Sequence, residues 1–238
     1  MNNIDPLITD ELAKYPAPHL AVDIVVLTIQ DRQLHAVLVR RSAEPQKDSL
    51  ALPGGFIHPG ETAEATVARV LREKTGLENI FAEQLFTFTE PARDSRGWVV
   101  SVAYYALIPQ AILAQASLTS EVAVLPLRVG TSAEIMVEDE AQTLAFDHQK
   151  ILELAVGRLA GKIWYTEVAL SILPEKFSLL DLQLVFEAVL GRPLNKTAFR
   201  KQVMNNWFIE PTGEQRHLQS NNFRPPALYR QKKGIINV

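Results

Sequence analysis

The chain reads as an α/β domain, a mixed sheet between helices, followed by a smaller α+β domain of three helices and a hairpin. Three observations predict this. Two apolar, β-branched runs meet at a tight turn in AVDIVVLTIQDRQLHAVLVRR. A glycine-punctuated loop passes into helical spacing in GGFIHPGETAEATVARVLREKTGL. Beyond Arg158 the pattern changes to short amphipathic helices and then to two extended segments. The expected boundaries are an N-terminal extension over 1–19, the α/β domain over 20–157 and the α+β domain over 158–238.

In chain order, two strands flank the turn Gln30-Asp31-Arg32, because both arms are rich in Val, Ile and Leu. A helix is expected over Glu64 to Thr75, with Val67, Val70 and Leu71 on one side and Gly76 as its C-cap. QLFTFTEPARDSRGWVVSVAYYALIP reads as strand, polar loop, strand, and a further strand is expected around EVAVLPLRV. LAFDHQKILELAVGRLAGKI starts a helix leading out of the domain. YTEVALSIL, SLLDLQLVFEAVLG and NKTAFRKQVMNN give three short amphipathic helices, and WFIEPTG and PALYRQ two extended segments around a polar span. Three helices and a hairpin in this length describe a winged helix-turn-helix.

Composition narrows the chemistry. The 238 residues include no cysteine, which excludes disulfides, thiol catalysis and Cys-based zinc sites. No basic region followed by an apolar run marks a secretory signal, and AVDIVVLTI is too short to span a bilayer. The expectation is a soluble, cytoplasmic protein with no membrane partner. The net charge of −3 hides an asymmetry: residues 158–238 hold 12 Lys and Arg against 6 Asp and Glu, or +6, leaving −9 for the rest. A basic part joined to an acidic part suggests contact with nucleic acid or an anionic surface.

Positions 70, 73 and 74 share one helix face at 100° per residue, so carboxylates there would converge on one point and suit Mg²⁺ or Mn²⁺. The face here presents Val70, Glu73 and Lys74. Valine offers no ligand and the lysine adds a positive charge. Glu73 with a bound diphosphate could hold one weak Mg²⁺, but no cofactor is expected to be required, no metal site is expected, and no catalytic residue is assigned. The stretch resembles the Nudix box, G, five residues, E, seven residues, R-E-hydrophobic-x-E-E-x-G-hydrophobic. Gly55, Glu61, Arg69, Leu71, Glu73, Gly76 and Leu77 match it, while Val70 and Lys74 stand where it has Glu. Glu61 and Arg69 are expected to pair and fix the loop rather than do chemistry, and hydrolase activity is expected to be lost because Val70 and Lys74 replace metal-ligand Glu positions.

A pocket survives the loss of the metal. Arg40 and Arg41 end the second strand, and Arg93, Asp94 and Arg96 lie on the loop FTEPARDSRGW. Guanidinium groups suit phosphate because they donate paired hydrogen bonds in a fixed plane. LVRR, LPGGF and the RDxRG loop resemble the ADP-ribose-type branch of the Nudix family. The resemblance implies a diphosphate held near Gly54, Gly55 and Phe56 with the arginines close by. LAFDH also fits the family pattern, but His148 is expected to be a structural hydrogen-bond partner and is left out of the site.

In the basic domain Asn195 is the expected N-cap of a helix that carries Lys196, Thr197, Arg200 and Lys201 in its first two turns, where a recognition helix meets base edges. Phe199, Val203 and Met204 are expected on its apolar side. Arg216, His217, Arg224 and Arg230 lie in or beside the wing, placed for phosphates or the minor groove. A charged solvent face of a protein-interaction module is the competing reading.

From about Val22 to Tyr229, the Nudix box, RDxRG, LAFDH, GKIxYT, LQxVFEAxLGRPLNKxxFRK and EPTGE…RPPALYR resemble the Nudix-related transcriptional regulators of NAD metabolism. The resemblance implies a homodimeric repressor of NAD-related genes that binds a palindromic operator on double-stranded DNA and is relieved by ADP-ribose. It leaves open an active Mg²⁺-dependent ADP-ribose hydrolase or a sugar-responsive regulator of the same architecture. The chain departs from the pattern at Leu50, where a Trp commonly precedes LPGG, and in a longer 111–140 region.

Overall fold

A computed structural model describes residues 14–130, 133–137, 140–206, 208–216 and 225–232. Most of the 1–19 extension lies outside them, as do His217 and Arg224.

Strands β1 (His19–Gln30) and β2 (Gln33–Arg40) form the expected hairpin. Asp31 and Arg32 both take positive φ, 49° and 64°, the two-residue geometry whose twist matches that of the flanking strands. Short strands β3 (Leu50–Ala51) and β4 (Gly54–Phe56) pair with β2 and β1 and lead to helix α1 (Ala63–Thr75). Thr62 caps α1 by accepting from the Ala65 amide at 3.2 Å, and Gly76 ends it with φ 73°. A side chain at Gly76 would collide with the Ser117 carbonyl, so the close approach as well as the left-handed backbone calls for glycine. Strands β5 (Glu83–Phe88) and β6 (Val99–Leu107) flank the polar loop, and β6 lies parallel to β1.

The stretch beyond β6 holds more structure than expected: helix α2 (Gln110–Gln115), then β7 (Val122–Val129), β8 (Ala133–Val137) and β9 (Glu140–Gln142). The sheet order is β5-β6-β1-β2-β7-β8-β9, with β1–β6 parallel and the other pairs antiparallel, so the sheet is mixed. Alternate residues of β1 serve opposite faces. Val22, Ile24 and Val26 pack with Val67, Val70 and Leu71 of α1, whereas Val25 and Leu27 join a core shared with helix α3 (His148–Lys162). No helix among the described residues is long and apolar enough to cross a membrane.

Helix α3 runs unbroken through 157–158, and its core continues into the C-terminal part. There the first expected helix is only a 3₁₀ turn, Val168–Leu170. Strand β10 (Phe177–Ser178), α4 (Leu179–Leu190), α5 (Lys196–Asn206), β11 (Ile209–Gln215) and β12 (Ala227–Gln231) complete a winged helix with a three-stranded sheet in the order β10-β12-β11. Ser178 and Asp181 close a reciprocal capping box on α4. The aromatic rings of Trp164, Phe186 and Phe199 meet edge to face, with Phe186 and Phe199 centred 5.2 Å apart, and so fasten α5 to α4. Met204, expected on the apolar side with Phe199 and Val203, is instead 45% exposed. It follows the exposed Arg200 by one turn and so shares that residue's outward face.

Candidate functional site: an arginine-lined cavity and a basic helix

The nine residues expected to bind a ligand all line one cavity of about 560 Å³ at the carboxyl end of β2: Arg40, Arg41, Gly54, Gly55, Phe56, Glu73, Arg93, Asp94 and Arg96. Their surroundings divide them. Arg93 is buried and committed: its guanidinium donates to both oxygens of Asp147, at 3.0 and 2.7 Å, and to Asp23 at 3.0 Å. Asp94 is a clamp for Arg96, accepting from its backbone N–H and from Nε at 3.0 Å and from Nη2 at 2.6 Å. Thus Arg93 and Asp94 hold the loop, and Arg96 is the arm it extends.

Arg96 lies over the rings of Phe56 and Phe146, 5.2 and 5.5 Å from their centroids, and Arg41 lies 4.6 Å from that of Phe146. Arg41 donates to the carbonyls of Pro45 and Ala43, and Arg40 to that of Asp48. Gly54 cannot carry a side chain, because a Cβ would strike the Asp23 carboxylate and come within 2.8 Å of the Val22 carbonyl.

The loop between β4 and α1 is held by Arg69. Its Nε and Nη2 donate to the two oxygens of Glu61 at 2.7 and 2.8 Å, and Nη2 also reaches the Phe56 carbonyl at 3.0 Å. The His58 amide and the Thr66 hydroxyl donate to Glu61 as well. Hydrogen bonding from Arg69, with these two donors, holds the Glu61 carboxyl down at about 2. Four hydrogen bonds from three residues converge on this carboxylate, which makes it a strut for the loop.

Among the cavity residues not assigned to the site from sequence are Asp23, Lys74, Phe146 and His148. Asp23 sits inside an apolar strand pattern that carries no functional signal. Burial works against its charge, yet His148, Arg93 and the Ser101 hydroxyl hold it well below the ordinary aspartate range. His148 accepts from the Leu52 amide at Nδ1, 2.9 Å, and approaches Asp23 at 3.3 Å through Nε2, which is a structural partnership. Phe146, with φ 55°, is the third residue of LAFDH, the segment whose fit to the family pattern is the signal that points to it.

In the winged helix, Asn195 accepts from the Ala198 amide at 3.0 Å and caps α5. Lys196, Thr197, Arg200 and Lys201 are exposed on its outer side, and among the described residues none of the three cations forms a salt bridge. The wing arginines differ. Arg216 pairs with Asp181 at the start of α4, and Arg230 pairs with its cross-strand neighbour Glu210 at 2.8 Å. Arg216 thus ties the wing to α4 and Arg230 braces the hairpin, and Arg224 lies outside the described residues.

Comparison with known proteins places this arrangement. Residues 17–145 match the NUDIX domain, and 169–231 match the NrtR DNA-binding winged helix domain. An ADPR responsive transcriptional repressor, NtrR, of Acinetobacter baylyi is 35% identical over 219 residues, covering 91% of this chain and 83% of the relative. The chain belongs to the NrtR family. The crystal structure of Shewanella oneidensis NrtR is 38% identical with a TM-score of 0.73, covering 90% of this chain and 94% of that one. The same protein complexed with a 27mer DNA matches at 37% identity with a TM-score of 0.71, over 90% of this chain and 93% of that one. An ADP-ribose pyrophosphatase of Methanocaldococcus jannaschii is 32% identical over 139 residues, 58% of this chain and 73% of the relative.

The NUDIX half of this NrtR-family chain does not fit the divalent ion its box implies. Val70 is buried in the core beneath Gly55, 3.0 Å from where a Cβ there would stand. The side chain of Glu73 is 53% exposed and leans on Arg69 at 3.4 Å. The Lys74 ammonium donates to the Gly54 carbonyl. Among the described residues no group of three or more His, Asp or Glu side chains is arranged to hold a metal ion.

Proposed function

We propose that this protein is a homodimeric transcriptional repressor of genes of NAD or related metabolism, working in the cytoplasm and sensing ADP-ribose or a close relative through its NUDIX cavity. The observation that carries the reading is the presence, on one chain, of an arginine-lined cavity, with no metal-holding cluster among the described residues, and an exposed basic recognition helix. The alignment with an ADPR responsive repressor over 91% of the chain supports it. Arg41 and Arg96 bind the diphosphate, Gly54 and Gly55 let it approach the backbone, and the exposed faces of Phe56 and Phe146 receive planar groups. Lys196, Thr197, Arg200 and Lys201 meet a palindromic operator whose half-sites lie ~34–36 Å apart or a multiple of that.

Hydrolysis is lost because the residues that would gather two metal ions are a core valine and an ammonium, and neither can lower the pKa of a water. No cofactor is required, and Glu73 contributes at most a weak Mg²⁺ contact once a diphosphate is bound. The ligand acts by preferring the dimer arrangement whose helices miss the half-sites, and the difference in its affinity for the two states limits the effect.

Calorimetric titration with ADP-ribose, followed by recovery of the ligand and an operator-binding assay with and without it, tests this. Intact ligand and operator release are expected. Cleaved ligand would instead favour the hydrolase reading that the pyrophosphatase relative represents.

A further inference from the structure

The misfit at the metal position has a positive side. On α1, the helix face that should converge on a divalent ion delivers a cation of its own. The Lys74 ammonium is turned in against the Gly54 carbonyl, although much of its stem is open to solvent. Desolvation, together with the positive charges of Arg41 and Arg96, pushes its pKa down, partly offset by Asp23 and Glu121.

Of the carboxylates around it, Glu44 and Glu121 line the cavity and act on Arg41 and Lys74 through space without an ion pair among the described residues, while the two aspartates are engaged. Asp23 is bonded to Arg93, Ser101 and His148, and Asp94 to Arg96. Among the described residues Lys74 and Arg41 form no salt bridge: Lys74 is held by the Gly54 carbonyl, and Arg41 by the carbonyls of Pro45 and Ala43 and the face of Phe146. Charged groups held by neutral partners at the wall of a cavity, and repelling one another, favour the entry of an anion.

We propose that Lys74 is a built-in counter-cation: its ammonium takes over, beside Gly54, the charge-neutralising role of a divalent ion, so that the pocket binds a dianionic diphosphate without metal. The inference rests on the effector reading above and names the residue that makes that reading work without chemistry. A second cation entering beside Lys74, Arg41 and Arg96 is repelled, so Mg²⁺ is not merely unnecessary but disfavoured. An ammonium also neutralises phosphate charge without producing a bound hydroxide, which leaves the ligand whole.

The test titrates ADP-ribose into the full-length protein in EDTA and again in Mg²⁺. Equal affinity in both is expected, and wild-type binding that disappears in EDTA and returns with Mg²⁺ overturns the proposal without any variant. Lys74→Met is expected to weaken binding by at least about tenfold and Lys74→Arg by much less. Lys74→Glu is expected to make whatever binding remains depend on Mg²⁺. A Lys74→Met protein that binds as tightly as wild type also overturns it. Should ADP-ribose bind in neither condition, the effector reading fails, and inorganic pyrophosphate in EDTA becomes the probe. Binding by wild type that Lys74→Met loses then upholds the counter-cation, whereas no binding, or binding indifferent to the substitution, refutes it.

Discussion

Two residues of the Nudix box that match its pattern, Glu61 and Arg69, do opposite work from the two that depart from it. Glu61 is surrounded by Arg69, the His58 amide and Thr66, and its carboxyl is held at about 2 against an ordinary value near 4.5. A lowered folded-state pKa means that the charged pair stabilises the native state fully above the unfolded value and ceases to do so as pH falls through the folded one. Denaturant melts should therefore show Glu61→Gln less stable than wild type by a constant margin above about pH 5. The margin should close between about pH 4.5 and 2. A gap that persists at pH 2 would mean that the strut works by shape rather than charge. At the other site, Arg200 is exposed on α5 without an ion-pair partner among the described residues. Arg200→Ala should cost about 1–3 kcal/mol of operator affinity if it reads a base, and about one unit of the salt slope if it meets a phosphate. Unchanged operator affinity would remove it from the interface.

At the scale of elements, β7 joins the two halves of the molecule. Glu121, just before the strand, lines the cavity, and its carbonyl accepts from the Arg40 amide at 2.8 Å. The far end, Val129, lies under the C-cap of α4, where a Cβ on Gly191 would strike the Val129 carbonyl. Gly191 also has φ 64°. Gly191→Ala therefore meets both a strained backbone and a blocked approach, and should destabilise by more than about 1 kcal/mol. If β7 carries the ligand signal, the same variant should bind operator with a weakened response to ADP-ribose. A variant with normal melting and a normal ligand response would show that the close seat is incidental. Phe199→Ala offers a control in the winged helix alone: it empties the edge-to-face aromatic cluster and should cost ~3–5 kcal/mol, while ligand binding in the distant cavity stays unchanged.

For the whole molecule, the charge asymmetry between the two parts fits a division of labour in which one part meets DNA and the other a metabolite. Both are anionic ligands, yet they are received differently. The winged helix exposes its cations in a row on α5, the arrangement for a polyanion whose affinity falls steeply with salt. The NUDIX part has a net excess of acid and concentrates its few useful cations in a cavity, where neutral carbonyls and aromatic faces hold them. Operator affinity should accordingly fall linearly with log salt, with a slope of about −0.9 for each phosphate neutralised. ADP-ribose affinity should change far less over the same range, since its cations are partly shielded from solvent. Equal salt sensitivity in the two titrations would contradict this division.

Local patterns were enough to determine the longer elements, because strand alternation, helical spacing and capping residues are decided by near neighbours, but over YTEVALSIL they predicted a helix where only a 3₁₀ turn forms. The β1–β2 hairpin, α1 with its Gly76 cap, and α5 with its Asn195 cap all follow from such signals. Positions 70, 73 and 74 likewise share one face of α1 whatever surrounds it, and the residues there are Val70, Glu73 and Lys74. Where a stretch lacked periodicity, as over 111–140, the sheet's need to pair its backbone decided the outcome and added β8 and β9. The tasks of the arginines were beyond sequence reasoning for a related reason. Arg93, Arg96, Arg216 and Arg230 are alike as letters. Only the fold brings Asp23 and Asp147 to the first, Asp94 and two aromatic rings to the second, and Asp181 and Glu210 to the last two. A cation's role depends on which anions reach it, and Asp23 and Arg93 are 70 residues apart along the chain.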